Sequence, residues 1–110
     1  MKPYVKLEEA LASRIPGKLG YRLLDEKNGC TSGCCCGVSV YDNTEFPKDY
    51  GAHEDQEGFL VLEGEGVARL DELEIDIRPG DSFLAAPGVK HTIKCEPGKP
   101  VKVFWFHSAV

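Results

Sequence analysis

Residues 51–66 of the chain read GAHEDQEGFLVLEGEG, and residues 80–91 read GDSFLAAPGVKH. Both segments join a short apolar run to turns marked by Gly and Pro, a pattern typical of short β-strands. Two histidines, His53 and His91, and one carboxylate, Glu57, stand where these strands meet the turns. Imidazole and carboxylate groups are common ligands of divalent transition metals. We therefore predict a metal site on a β framework.

The separation of His53 and Glu57 determines how their side chains can meet. Both have the same strand parity, but in one extended strand their Cα atoms would lie about 13 Å apart. The polar residues 54–56 between them are typical of a turn, so we expect His53 to end one strand and Glu57 to begin the next. His91 then opens a later strand after the turn at 87–88. Together the three side chains form the 2-His-1-carboxylate set of open-sided metal sites.

The same residues resemble the two motifs of the cupin superfamily, usually written G-x5-H-x-H-x3,4-E-x6-G and G-x5-P-x-G-x2-H-x3-N. The matching residues are His53, Glu57 and Gly64 in the first motif and Gly80, Gly88 and His91 in the second. The resemblance extends over residues 34–107. It implies an all-β fold, a small antiparallel β-barrel or jelly roll built as a double-stranded β-helix. It also implies a metal held by His53, Glu57 and His91.

The chain departs from the motifs at several positions. Gly51 stands where the first motif has its first histidine. In the second motif the proline has slipped by one position to Pro87, and Cys95 replaces the closing asparagine. Because glycine has no side chain, the implied site lacks one protein ligand, and we expect partial metal occupancy. Asp55, Gln56 or a water molecule are the candidates for that position.

The length of the chain, 110 residues, fits a single domain over residues 1–110 with one hydrophobic core. We expect residues 1–33 to form an N-terminal helix and edge segment, and residues 34–107 to form the barrel core. No apolar run approaches the ~20 residues that span a bilayer, and the first residues lack the apolar centre of a signal peptide. We therefore predict a cytoplasmic protein without a membrane partner.

The charge of the chain argues against one class of partner. The formal net charge is -5, and no block of basic residues occurs anywhere. Binding to nucleic acid requires clustered Lys and Arg to neutralise phosphates. We therefore expect no nucleic-acid partner and, from the resemblance, a small-molecule ligand in the barrel.

Short alternating segments separated by turns continue along the chain. Leu7, Ala10 and Leu11 have helical spacing, which predicts a short helix over residues 7–13. We predict strands over residues 21–24, 34–42, 57–63, 66–70, 73–77, 82–85, 91–95 and 101–107. The core is expected to include Phe59, Val61, Ile75, Ile77, Phe83, Ile93 and Val103. Many short strands with Gly and Pro turns favour a small antiparallel barrel.

Two of the predicted strands are apolar on both faces. Leu60 and Leu62 lie on the face opposite Phe59 and Val61, and the strand over residues 101–107 is apolar on both sides. Such strands need cover on both faces. We therefore expect a homodimer.

The cysteines Cys30, Cys34, Cys35 and Cys36 invite a zinc or redox interpretation. Adjacent residues on a strand point to opposite faces, so the three consecutive cysteines cannot converge on one ion. Without an export signal we expect all five cysteines to be reduced, and most to be buried as small hydrophobic residues. Ligation by Cys34 or Cys36 stays open if either faces the cavity. Cys95 shares the parity of His91 and is expected to point inward.

The remaining polar candidates are less specific. His107 shares the parity of Trp105, but a histidine close to the C-terminus is more often on the surface, and we expect it there. Tyr41, Tyr50 and Arg69 are candidates for binding a substrate.

The function that follows is a metal-binding barrel for a small anionic or oxygen-rich metabolite. One Fe, Mn, Ni, Cu or Zn ion would be held by His53, Glu57 and His91. The alternatives are a non-enzymatic binding or sensor barrel with a degenerate metal site, and a structural dimer unit. The sequence leaves open whether the protein is an enzyme, because this fold serves both enzymes and binding proteins.

Overall fold

The computed structural model describes residues 1–108, which form one α-helix, one 3-10 helix and eight β-strands. The helix α1 covers Leu7–Ala12, and the 3-10 helix covers Glu26–Asn28. The strands are β1 (Tyr21–Leu24), β2 (Cys35–Tyr41), β3 (Gln56–Glu63), β4 (Gly66–Leu70), β5 (Leu73–Ile77), β6 (Ser82–Ala85), β7 (His91–Cys95) and β8 (Val101–Ser108). The eight strands predicted with bounds are confirmed, and these bounds differ by at most one residue.

The short helix α1 is confirmed and ends one residue earlier than predicted. Ser13 caps it, because its backbone N–H donates to the carbonyl oxygen of Glu9 over 3.1 Å. Ala10 is buried, but Leu7 and Leu11 on the same face stay exposed. None of the helices in the described part of the chain is long and apolar enough to cross a membrane.

The strands form two antiparallel sheets, as expected for a jelly roll. The larger sheet has five strands in the order β1-β2-β8-β3-β6, and the smaller has three in the order β5-β4-β7. Strand β3 therefore lies between β8 and β6. The register places Glu57 opposite His107 on one side and opposite Ala85 on the other.

The core lies between the two sheets. Its buried members are Phe59, Val61, Ala68, Ile77, Ala85, Ile93, Cys95, Val101 and Val103. Five of the seven predicted core residues are among them, and the other two, Ile75 and Phe83, are half-buried and pack against the cluster. Because side chains alternate along a strand, Glu57 shares the inner face with Phe59 and Val61.

One motif glycine has a strict steric role. Gly64 begins the turn between β3 and β4 with φ at 87°. A Cβ atom at this position would overlap the carbonyl oxygen of Pro100. Only glycine fits both the left-handed backbone and the close approach of the two chains.

The outer face of the larger sheet carries large apolar side chains. Leu60, Leu84 and Phe106 are exposed by 39%, 49% and 43%. They lie side by side, since Gly58 of β3 pairs with Leu84 on one side and with Phe106 on the other. The apolar character of both faces of β3 and β8 is therefore as predicted.

Candidate metal centre

The buried carboxylate of Glu57 lies at the centre of a histidine cluster. Glu57 begins the inner face of β3 and is 8% exposed. Its Oε1 atom lies 2.9 Å from Nε2 of His91, 3.3 Å from Nε2 of His107 and 3.6 Å from Nε2 of His53. A buried carboxylate is costly unless it is paired. Three imidazole nitrogens directed at one oxygen provide that pairing.

His91 opens β7 after the turn that contains Gly88, as the sequence predicted. Its Nδ1 atom lies 3.1 Å from the carbonyl oxygen of Val89. A carbonyl oxygen and a carboxylate only accept, so the ring makes both hydrogen bonds as an imidazolium, with Nδ1–H donating to Val89 and Nε2–H donating to Glu57 over 2.9 Å. When Nε2 loses its proton, its lone pair faces Glu57. The hydrogen bond with Glu57 raises the pKa of the His91 imidazole, and burial opposes this shift.

His53 reaches the cluster from a loop, which corrects the expectation that it ends a strand. The segment between β2 and β3 contains no strand in the described residues. Two backbone hydrogen bonds nevertheless hold this segment beside β7. The carbonyl oxygen of Gly51 accepts from the backbone N–H of His91 over 3.3 Å, and the carbonyl oxygen of His53 accepts from the backbone N–H of Gly88 over 2.8 Å. The His53 side chain is 47% exposed, so the cluster is open to solvent on the side of His53.

His107 belongs to the cluster, so the expectation of a surface position is wrong. It lies on β8 directly opposite Glu57, and its side chain is 18% exposed. Its Nδ1 atom lies 2.8 Å from Oδ2 of Asp55, and this hydrogen bond lowers the pKa of the Asp55 carboxyl. In the sequence, the shared parity of His107 and Trp105 indicated that both side chains lie on the same face of their strand. The sequence did not show that this strand pairs with β3 and so brings His107 to Glu57.

Neither of the two side chains named as candidates for the fourth ligand position belongs to the group of ligand atoms that come together around Glu57. The Asp55 carboxylate accepts a hydrogen bond from Nδ1 of His107, while Nε2 of the same ring faces Glu57. Gln56 precedes Glu57 on β3, so alternation directs it to the opposite face.

Aromatic side chains form the inner wall beside the histidines. The ring of Phe59 lies 5.7 Å from that of His91, and the ring of Trp105 lies edge-on 5.3 Å from that of His107. An apolar wall of this kind strengthens electrostatic interactions within the cluster. Trp105 also lines a cavity of about 690 Å³ between α1 and the strands β1 and β2, which His53, Glu57 and His91 do not line.

The cysteines are free, but their burial differs from the expectation. Cys95 is buried in the core as predicted, whereas Cys34 is exposed and Cys30, Cys35 and Cys36 are half-buried. The register places Cys35 opposite His107, so Cys35 and not Cys34 or Cys36 is on the face of the cluster. Burial raises the pKa of the Cys35 thiol, which keeps it protonated and a poor metal ligand.

The substrate candidates lie in different environments. Arg69 alternates with the buried Ala68 and therefore faces outward, where its guanidinium lies 2.9 Å from Glu74 and binds Tyr50. Tyr41 packs against the core, and burial raises its pKa to about 12.

The distances in the cluster fit a metal ion. The ligand atoms of His53, Glu57 and His91 all lie within 4.8 Å of one another. Two ligands bound at about 2.1 Å to one ion lie about 3.0 Å apart at an octahedral angle and about 3.4 Å apart at a tetrahedral one. The separations of 2.9 and 3.6 Å from Glu57 to His91 and His53 are close to these values. The three residues therefore form a group that could bind a metal.

Comparison with known proteins gives a family and a fold. The family model for the cupin domain matches residues 40–107. No curated protein sequence matches the chain. A cupin protein from Bacteroides fragilis is similar over 100% of this chain and 87% of its own, with 18% identity and a TM-score of 0.73.

Two further solved structures are similar to this chain. The cupin domain of Schizosaccharomyces pombe Cnp3 has a TM-score of 0.71 and 15% identity over 94% of this chain and 74% of its own. Fe(II) HppE has a TM-score of 0.65 and 18% identity over 81% of this chain and 48% of its own. At these identities the likeness concerns the fold alone.

Proposed function

The chain belongs to the cupin family, and on that premise we propose that it holds one divalent transition metal ion, Fe, Mn, Ni, Cu or Zn, through His53, Glu57 and His91. The observation that carries the proposal is the convergence of imidazole nitrogens on one oxygen of the buried Glu57. Imidazole and carboxylate ligands suit this range of metals. Fe(II) HppE provides a precedent for iron in a protein of similar fold.

The charge of the site indicates the class of ligand. Glu57 is the only anionic group among the three ligands, so a bound divalent ion keeps a net positive charge. The half-exposed His53 leaves the ion accessible on one side, while the aromatic rings of Phe59 and Trp105 lie beside His91 and His107 on the inner side. This arrangement favours a small anionic or oxygen-rich metabolite. When bound, the ion supplies Lewis-acid or redox chemistry.

Cytoplasmic location and assembly as a homodimer are part of the same proposal. The free cysteines are consistent with a reducing compartment. The apolar outer face of the larger sheet supports a second copy as partner.

The experiment that tests the proposal is elemental analysis of purified protein together with three variants. His91→Ala should remove most of the metal and leave the barrel folded, because His91 stands at the start of β7 outside the buried core. Glu57→Gln should lower the affinity for Zn²⁺ at least ~10-fold, since it removes the anionic ligand. The matched control is Glu63→Gln, the same change at the exposed end of β3.

Equal metal content and equal affinity in the wild type and all three variants would overturn the proposal. The non-enzymatic binding barrel with a degenerate site would then be the better description. Circular dichroism of each variant separates loss of metal from loss of fold.

A further inference from the structure

We propose that His107 is a fourth protein ligand of this metal, in place of the motif histidine absent at Gly51, and that Asp55 positions it. The inference rests on the proposed function, because it concerns the same ion. It adds a residue from the last strand, far from both sequence motifs.

Gly51 stands at the position where the first motif has its first histidine, so the chain lacks this ligand. The carbonyl oxygens of Gly51 and His53 accept the backbone N–H groups of His91 and Gly88, which holds this loop beside β7. No atom lies within 4 Å of a Cβ built on Gly51. The chain has room for a ligand at this position but supplies none.

His107 places a further imidazole nitrogen beside the Glu57 carboxylate. Its Nε2 atom lies 3.3 Å from Oε1 of Glu57, between the separations found for His91 and His53. Its ring centroid lies 5.2 Å from that of His53, and the rings of His53 and His91 are 5.1 Å apart. By these two distances His107 is nearly as close to Glu57 and His53 as His91 is, although only His91 belongs with them to the group whose ligand atoms all lie within 4.8 Å of one another.

The hydrogen bond between His107 and Asp55 selects the tautomer that a ligand requires. A carboxylate accepts, so Nδ1 of His107 carries the proton and the lone pair of the neutral ring is on Nε2, which faces Glu57. Histidines that bind metals usually donate their other ring N–H to a carboxylate or a backbone carbonyl. His91 does so to Val89 and His107 to Asp55, so the two rings share the arrangement expected of ligands.

The direct test is the electron paramagnetic resonance spectrum of the protein loaded with Cu²⁺, which reports how many nitrogens bind the ion. We expect three imidazole nitrogens in the wild type and two in His107→Ala. The affinity for Zn²⁺ should fall at least ~10-fold in His107→Ala and ~10-fold in Asp55→Asn, which weakens the positioning hydrogen bond. Asp49→Asn, a matched change at an exposed residue of the same loop, should have no effect.

Rescue provides a second test. Gly51→His in the His107→Ala background should restore the third nitrogen and most of the lost affinity, because the introduced ring fills the position that the motif assigns to a ligand. In the wild-type background the same substitution should change affinity less, since His107 already binds.

The outcomes separate this inference from the proposed function. Failure of the wild type to bind metal would overturn both. Metal binding that depends on Glu57 and His91, with two nitrogens in the wild type and unchanged affinity in His107→Ala, would overturn only the inference. If His107→Ala does not fold, the nitrogen count of the wild type and the affinity of Asp55→Asn decide the question.

Discussion

Glu57 shows how much a single buried charge determines at this site. A carboxylate that is 8% exposed loses most of its hydration and must be compensated by its neighbours. Three imidazoles provide this compensation, and each directs the same ring nitrogen at the same oxygen. A cluster of this composition is costly to maintain for stability alone, because apolar residues of similar volume would pack there without a desolvation penalty. We therefore take this composition as support for the proposed metal-binding role.

Tyr41 allows a prediction about the dependence of stability on pH. Burial raises the pKa of Tyr41 to about 12, with a smaller contribution from Glu57. The unfolded chain ionises this phenol near pH 10, whereas the folded protein keeps it protonated. The contribution of the Tyr41 phenol to the free energy of unfolding is therefore fully present below about pH 10 and is lost as the pH rises toward about 12.

We expect the free energy of unfolding to fall between about pH 8 and about pH 11 by on the order of 1 kcal/mol more in the wild type than in Tyr41→Phe. Urea unfolding of both proteins at the two pH values measures the difference. Equal losses in the two proteins would show that Tyr41 does not retain its proton in the folded state.

At the scale of secondary-structure elements, the alternation of β2 separates the cysteines into different environments. Cys35 shares the inner face with Tyr41 and lies opposite His107, while Cys36 faces the other side of the sheet. Cys34 lies just before the strand and is exposed. The run of three cysteines is therefore three separate sites and not one.

The order of alkylation under native conditions should follow these environments. We expect Cys34 to react first and Cys95, which is 4% exposed, to react last. Mass spectrometry after timed treatment with iodoacetamide gives the order. Cys35→Ser should leave the bound metal unchanged, because the raised pKa keeps this thiol protonated. Loss of stoichiometric metal from Cys35→Ser would instead place a thiolate in the site.

In the described part of the chain, the outer face of the five-stranded sheet is a large apolar surface. Leu60, Leu84 and Phe106 lie together on neighbouring strands of this face. A flat sheet face can pair with its own copy about a twofold axis, which places the same residues on both sides of the interface. A stable interface of this kind buries more than about 1,000 Å².

We therefore predict a homodimer at micromolar concentration that dissociates when a charge is introduced into this face. Sedimentation of the wild type and of Leu84→Arg tests the prediction, and the variant should be a monomer with unchanged circular dichroism. Leu73→Arg is the control, because Leu73 is also exposed but lies on the three-stranded sheet. A monomeric wild type would contradict the expectation of a dimer.

The sequence by itself determined the features that depend on neighbouring residues. The alternation of apolar and polar residues located the strands, the Gly and Pro positions located the turns, and parity placed Glu57 on the inner face beside Phe59 and Val61. The spacing within the two motifs predicted that His53, Glu57 and His91 lie close together. The structure places them together, although His53 lies in a loop and does not end a strand.

Only the tertiary structure decided which strands are neighbours and in what register. His107 meets Glu57 because β8 pairs with β3, and Asp55 meets His107 across 52 positions of sequence. Parity assigns a side chain to a face, but it does not say which strand lies beside it or which residue stands opposite. A turn fixes the register of two strands that follow one another in a hairpin, but no turn joins β3 to β8, so their pairing is set by how the whole chain buries its apolar surface.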